Sequence, residues 1–304
     1  MSVLDENRTF ILFKKQGMSR SPCYTQPLWQ NSYFGRKHGK TETTIFVDWE
    51  NLLTDLRAIQ KNPKTDKRFK EPDFSFNNPE QLLALIRSFL EPEEELKRIY
   101  FYASEPFTEV EPRIKGNKNK ELEEYKDKNP KDYEKRVNKS GIIQAFNHEI
   151  AQQNQVKLRV GRVMFEFVYE FEDKEVYNGL EAKIPIPRLK LRQKQIDALL
   201  AHDITKLYCT KQGGCILLFS KDTDFVPVLE AAWEKDFEVF IANIQEGPNL
   251  VPPDLRKSCD VRERSVAEIL AKLPKVATTS NTPKKENSNE PFNNPFKDHL
   301  YKKN

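Results

Sequence analysis

No two of the four cysteines (23, 209, 215 and 259) are spaced as a C-x-x-C pair, and the four histidines (38, 148, 202 and 299) form no H-E-x-x-H. The common zinc signatures are therefore missing. The thiols read as reduced, and Cys215, inside an apolar run, reads as core. No apolar run is long enough to span a bilayer. The short "TFILF" of Thr9 to Phe13 is followed by Lys14 and Lys15, so a signal peptide is not expected, and a cytoplasmic location without membrane attachment is. There is no G-x-S-x-G and no internal repeat. "GRKHGKT" at 35–41 ends like a phosphate-binding loop, but it is one residue short and precedes a strand instead of following one. Nor is there a strong excess of one charge. Fifty basic and 46 acidic residues leave a net charge of +4, so any polyanion partner would need locally clustered cations.

The chain does have enough length, at 304 residues with 38% hydrophobic content, for one large domain or two small ones. Residues 1–42 are polar and aperiodic, either a disordered leader or a basic and aromatic arm able to touch RNA, and Met18 is an alternative start. From 43 to 273 strand and helix patterns alternate. "TIFVD" (44–48), "KRIYFYAS" (97–104), "CILLFS" (215–220) and "FEVFIAN" (237–243) read as strands. Helices are expected over 79–90, with Pro79 in the first turn, and over 142–154, 193–208, 224–236 and 266–273. Pro227 fits the fourth of these only in its first turn. The charged segment at about 105–141 reads as a solvated helix or a lid. The β-rich stretch at about 160–187, with "YNG" at 177–179, reads as a hairpin insertion. Residues 274–304 read as a polar, Asn- and Lys-rich tail for which disorder is expected. The alternation implies a mainly parallel sheet between two helical layers.

In such sheets ligands sit at the carboxyl ends of the strands. Two apolar strands here end on aspartates, Asp48 in "IFVDWENL" and Asp222 in "CILLFSKDTDF". Carboxylates gathered in a cleft either share a proton or are neutralised by a cation. Oxygen donors with no nearby His or Cys suit Mg²⁺ or Mn²⁺. Asp197, near a helix start, is the third candidate. Asp203 is six positions on, about 240° around the helix, so it is assigned a supporting or structural role. Asp224 either joins the metal shell or caps the helix that follows. Asn51 can donate to a carboxylate or phosphate oxygen, while Glu50 faces solvent. Lys194 precedes Asp197 by one helical turn, where it pairs with the carboxylate, holds a phosphate, or is an ordinary surface lysine.

"FVDWENL", then "KQID" with "LLAHD", then "FSKDTDFVPVL" resembles, in order and spacing, the NYN domain, a PIN-like nuclease fold of the LabA-like group. The resemblance implies a three-layer α/β/α sandwich. It places the family motifs on Asp48 and Asn51, on Lys194 and Asp197, and on Ser220, Asp222, Asp224 and Phe225. Family members usually carry glycine where Gln195 and Lys221 stand, and often where Asp236 stands. Lys221 beside Asp222 would grip RNA or compete with the metal.

The implied activity is metal-dependent, endonucleolytic hydrolysis of RNA. Asp48, Asp197, Asp222 and Asp224 would hold Mg²⁺ or Mn²⁺, Lys194 would serve the chemistry, and Asn51, Ser220 and Lys221 would contact substrate. The main alternative is a catalytically silent RNA- or protein-binding module on the same fold. A haloacid-dehalogenase-type phosphatase would want aspartate where Glu50 stands. An active RNase calls for restraint, by a partner, a lid or low affinity, and a regulatory protein partner or a homo-oligomer is expected.

Overall fold

Asp48 closes a run of six buried residues and starts a helix, and that junction organises the fold. The computed structural model describes residues 39–107, 117–177 and 180–274. Most of the expected N-terminal extension, the tip of the "YNG" turn and nearly all of the tail lie outside these residues. The first strand is β1 (Thr41–Asp48). It is followed by α1 (Trp49–Lys61), which the sequence reading did not assign. α1 is amphipathic, burying Trp49, Leu52, Leu53, Leu56 and Ile59. α2 (Pro79–Arg87) has Pro79 at its first position and Asn78 as its cap. β2 (Glu94–Ser104) comes next, then α3 (Asn117–Lys128) and α4 (Pro130–Ala151), so the charged segment forms helices from Asn117 onward.

β3 (Val156–Tyr177) and β4 (Leu180–Lys194) form a long antiparallel ribbon. The remaining elements are α5 (Ile196–Thr210), β5 (Gly214–Phe219), a 3₁₀ turn at Thr223–Phe225, α6 (Val226–Trp233), β6 (Phe237–Ile244), α7 (Pro253–Ser258), β7 (Asp260–Arg264) and α8 (Val266–Lys272). The seven strands are ordered β4-β3-β2-β1-β5-β6-β7. All neighbours run parallel except β3 and β4.

Alternate residues of each central strand supply two cores. Ile45 and Val47 face α1, α2, α4 and α8, while Phe46 faces α5 and α6 with Tyr102 and Leu218. The expected three-layer PIN-like sandwich, with six parallel strands and an antiparallel hairpin, is what the chain adopts. Among the described residues no helix is long and apolar enough to cross a membrane.

β4 is an edge strand, and this explains how it passes through Pro185 and Pro187. Both prolines lie on alternate residues, so the missing N–H groups fall on the same side, and an edge strand leaves one side unpaired. Chain winding changes direction between β1 and β5, which leaves a crevice at their carboxyl ends.

Candidate active site

Val47 pairs with Phe219, so Asp48 and Ser220 leave the sheet side by side. Asp48 is 9% exposed and does two jobs. Its Oδ1 caps α1 by accepting from the Asn51 amide at 3.4 Å, and its Oδ2 accepts from Ser220 Oγ at 3.2 Å. Ser220 Oγ in turn accepts from the Asp222 amide at 3.3 Å. Asn51 Oδ1 accepts from the Lys221 amide at 3.2 Å. The loop after β5 is thus stitched to the first turn of α1.

Lys221 was expected to reach substrate. Its side chain is instead buried, with Nζ donating to Asp55 Oδ2 and to the Asn249 carbonyl, each at 2.6 Å. Asn249 Nδ2 also donates to Asp55 Oδ1 at 2.9 Å. The cation is therefore spent on a structural latch. Asp55 and Asn249 were not singled out from sequence. The signal for Asp55 was its spacing, since Asp48, Asn51 and Asp55 recur at three and four residues on one face of α1.

Asp222, and not Asp224, is the capping residue of the second loop. Its Oδ1 accepts from the Asp224 amide at 2.9 Å, and it caps the 3₁₀ turn. α6 starts at Val226, two residues later than expected, with Pro227 in its first turn as required and no side-chain cap. Asp224 is left exposed and uncommitted to a cap.

Lys194 is not on α5. It ends β4, and Gln195 then turns through the left-handed region with φ 77° before α5 begins at Ile196. The expected sharing of a helical face by Lys194 and Asp197 therefore does not occur. Lys194 remains exposed, two residues from the helix that carries Asp197 in its first turn. A left-handed turn is where glycine fits without strain, as the resemblance implies for this position, and Asp236, with φ 63°, repeats the pattern. Lys221 is not among the residues with positive φ. Gln195→Gly is expected to stabilise the protein by about 0.5–1 kcal/mol, because relief of left-handed strain slightly exceeds the extra freedom of the unfolded chain. Urea unfolding checks this, and an unchanged or lower midpoint contradicts it.

Asp203 sits in a buried network of its own. Tyr102 Oη donates to its Oδ2 at 2.9 Å, Arg159 Nε donates to the same oxygen at 2.6 Å, and Arg159 Nη2 pairs with Oδ1. Burial alone would raise this carboxyl, but Arg159 and Tyr102 outweigh it and hold it below its usual range. The network pins α5 to β2 and β3, behind Asp197.

The remaining acids act on one another. Burial first, and then the charges of Asp197 and Asp222, push the Asp48 carboxyl up to about 6, against the hydrogen bonds from Asn51 and Ser220. Asp197 is also raised, by partial burial and then by Asp222 and Asp224. Four carboxylates therefore share one region of negative potential, with Lys221 turned away to Asp55. Among the described residues no three His, Cys, Asp or Glu side chains are drawn together closely enough to hold one ion. The donor set still suits a hard divalent cation in kind: it is all oxygen, and its mutual repulsion would be relieved by added positive charge.

Neither curated proteins nor solved structures gave a match to the chain. A family model for the NYN domain matches residues 42–265, a span that runs from β1 past β7 and contains all three motifs. The chain belongs to the NYN domain family.

Proposed function

We propose that this protein is a metal-dependent endoribonuclease that hydrolyses RNA phosphodiester bonds. NYN domains are nuclease-like α/β domains, which supports a hydrolase in the broad sense. The observation that carries the finer reading is the shared negative potential of Asp48, Asp197, Asp222 and Asp224 at the crevice between β1 and β5. Mg²⁺ or Mn²⁺ bound by these four residues would supply an acidified water and neutralise charge on the scissile phosphate.

The chain's own residues would prepare for this. Ser220 and the Asn51 amide fix both oxygens of Asp48. The Asp224 amide orients Asp222. Lys194, exposed at the end of β4, is the nearest cation in sequence to Asp197 and would face the phosphate. Asn51 has its carbonyl oxygen committed to Lys221, leaving the Nδ2 hydrogens to donate to substrate. A reducing, cytoplasmic setting belongs to the same proposal, in keeping with the free thiols at Cys209, Cys215 and Cys259. Control by a regulatory partner or self-association belongs to it too.

A binding module without catalysis is the competing reading. It is favoured by the absence, among the described residues, of three acids already gathered for one ion. A titration separates the two. The nuclease is expected to show a saturable rise in thermal midpoint with Mn²⁺ or Mg²⁺, because binding favours the folded state, together with cleavage of labelled single-stranded RNA that EDTA stops. No saturable shift and no cleavage would leave the binding module.

A further inference from the structure

An anionic catalytic edge repels the polyanion it is supposed to cut, so the phosphates must be held by cations elsewhere. The β3–β4 ribbon has two chemically different faces. On one, Phe167 and Leu189 pack with Phe107, Leu122, Tyr125 and Tyr133 against α3 and α4, while Tyr169 and Phe171 further along the same face are exposed. The other face follows from the pairing of Arg162 with Lys194, Met164 with Arg192, Glu166 with Lys190, and Val168 with Arg188. All five of these cations are exposed. Met164 and Val168 are exposed between them, at 50% and 37%.

Between Arg162 and Glu170 two acids, Glu166 and Glu170, lie on this side and are matched by Arg192 and Arg188. Cations therefore exceed anions by three, on a protein whose whole net charge is +4. On β4 the cations recur at every second residue from Arg188 to Lys194, a spacing of about 6.7 Å over a run of roughly 20 Å. A regular row of that pitch suits successive phosphates of an extended strand better than it suits a folded acidic protein. The row is continuous with the catalytic edge: Lys194 ends it, and after the turn at Gln195 the chain enters α5 with Asp197. Close packing fixes the junction, because a Cβ on Gly161 would lie 2.6 Å from Ile196 Cδ1 and 2.7 Å from the Lys194 carbonyl oxygen.

We propose that this solvent face, carrying Arg162, Arg188, Lys190 and Arg192, is a track that binds the phosphate backbone of single-stranded RNA and leads it to the carboxylate edge. The proposal rests on the nuclease reading only in taking RNA as the ligand.

The test uses the full chain carrying Arg162→Gln, Arg188→Gln and Lys190→Gln together. These side chains are exposed, so the thermal midpoint is expected to stay put. Binding of labelled single-stranded RNA is followed by anisotropy in EDTA over a range of salt. Losing three phosphate contacts should reduce the slope of log K against log salt by about 2, with affinity at least tenfold weaker at low salt. Lys183→Gln, on the opposite face of the ribbon, should leave the slope unchanged. In Mg²⁺, cleavage of long RNA should show a raised KM, while turnover of a dinucleotide stays the same. An unchanged slope, or an equal loss with Lys183→Gln, overturns the proposal. So does polyglutamate that displaces RNA with equal potency per charge, since the surface would then accept any polyanion. Because the anisotropy arm needs no catalysis, failure of the nuclease reading alone would leave the slope change intact.

Discussion

Asp48→Asn is expected to abolish RNA cleavage while making the metal-free protein more stable. The loss of activity follows from the proposed role. Removing one carboxylate that holds the ion should cost about 4 kcal/mol of barrier or more, hence a thousandfold in rate. The gain in stability follows from burial. Asp48 is 9% exposed and hydrogen-bonded at both oxygens, yet its carboxyl is pushed from an ordinary 3.8 to about 6. That shift corresponds to roughly 3 kcal/mol of unfavourable ionisation in the folded state at neutral pH, as an order of magnitude. Asparagine keeps an oxygen able to accept from Ser220 or Asn51 and carries no charge.

The sign of the pH dependence is fixed by the raised value. Below about 3.8 the carboxyl is protonated in both folded and unfolded chains, and Asp48 carries no penalty. Between 3.8 and about 6 the unfolded chain ionises first, so stability falls as pH rises. Above about 6 the penalty is complete. The variant's advantage should therefore be absent near pH 3.5 and full at pH 8, measured by urea unfolding in EDTA. Saturating Mg²⁺ should shrink the advantage, because the ion stabilises the wild type and has lost a ligand in the variant. Wild-type cleavage by Asp48→Asn, or a variant less stable than wild type at pH 8, defeats this account.

The strands that lead into Asp48 and Asp222 were legible because a buried parallel strand is an uninterrupted apolar run, and a carboxylate at or just after its end is conspicuous. The approach to Asp197 was not. Lys194 was placed one turn before it on a helix, but β4 runs through to Lys194 and the break falls at Gln195, a residue that carries no signal for a left-handed turn. Glycine there would have marked the boundary. The division of labour between Asp222 and Asp224 was also hidden, because either can cap and only the backbone decides which amide is within reach. α1 went unread although Leu52, Leu53, Leu56 and Ile59 have helical spacing, and β7 went unread because "DVRER" looks solvated. Arg262 at its centre is in fact buried on Glu94, with bonds of 2.7 and 2.9 Å. Burial of paired charges is a tertiary event with no local signature.

The same blindness explains Lys221, read from sequence as a substrate contact, and its replacement should have the second largest effect. Lys221→Ala is expected to destabilise the fold by about 3–5 kcal/mol, because it leaves the Asp55 carboxylate buried without its cation. Lys221 and Asp55 side chains are 7% and 6% exposed, so water cannot take over the lysine's role. The latch also joins the loop of Ser220 and Asp222 to α1 and to Asn249, so cleavage should fall with stability. Asp55→Leu combined with Lys221→Met removes both charges. That pair should recover most of the lost stability, because apolar residues of similar size commonly replace a buried ion pair without loss. A thermal and urea unfolding cycle over the two single variants and the double gives the coupling directly. A lysine that gripped RNA would behave in the opposite way: Lys221→Ala would weaken RNA binding at unchanged stability, and the second substitution would restore nothing.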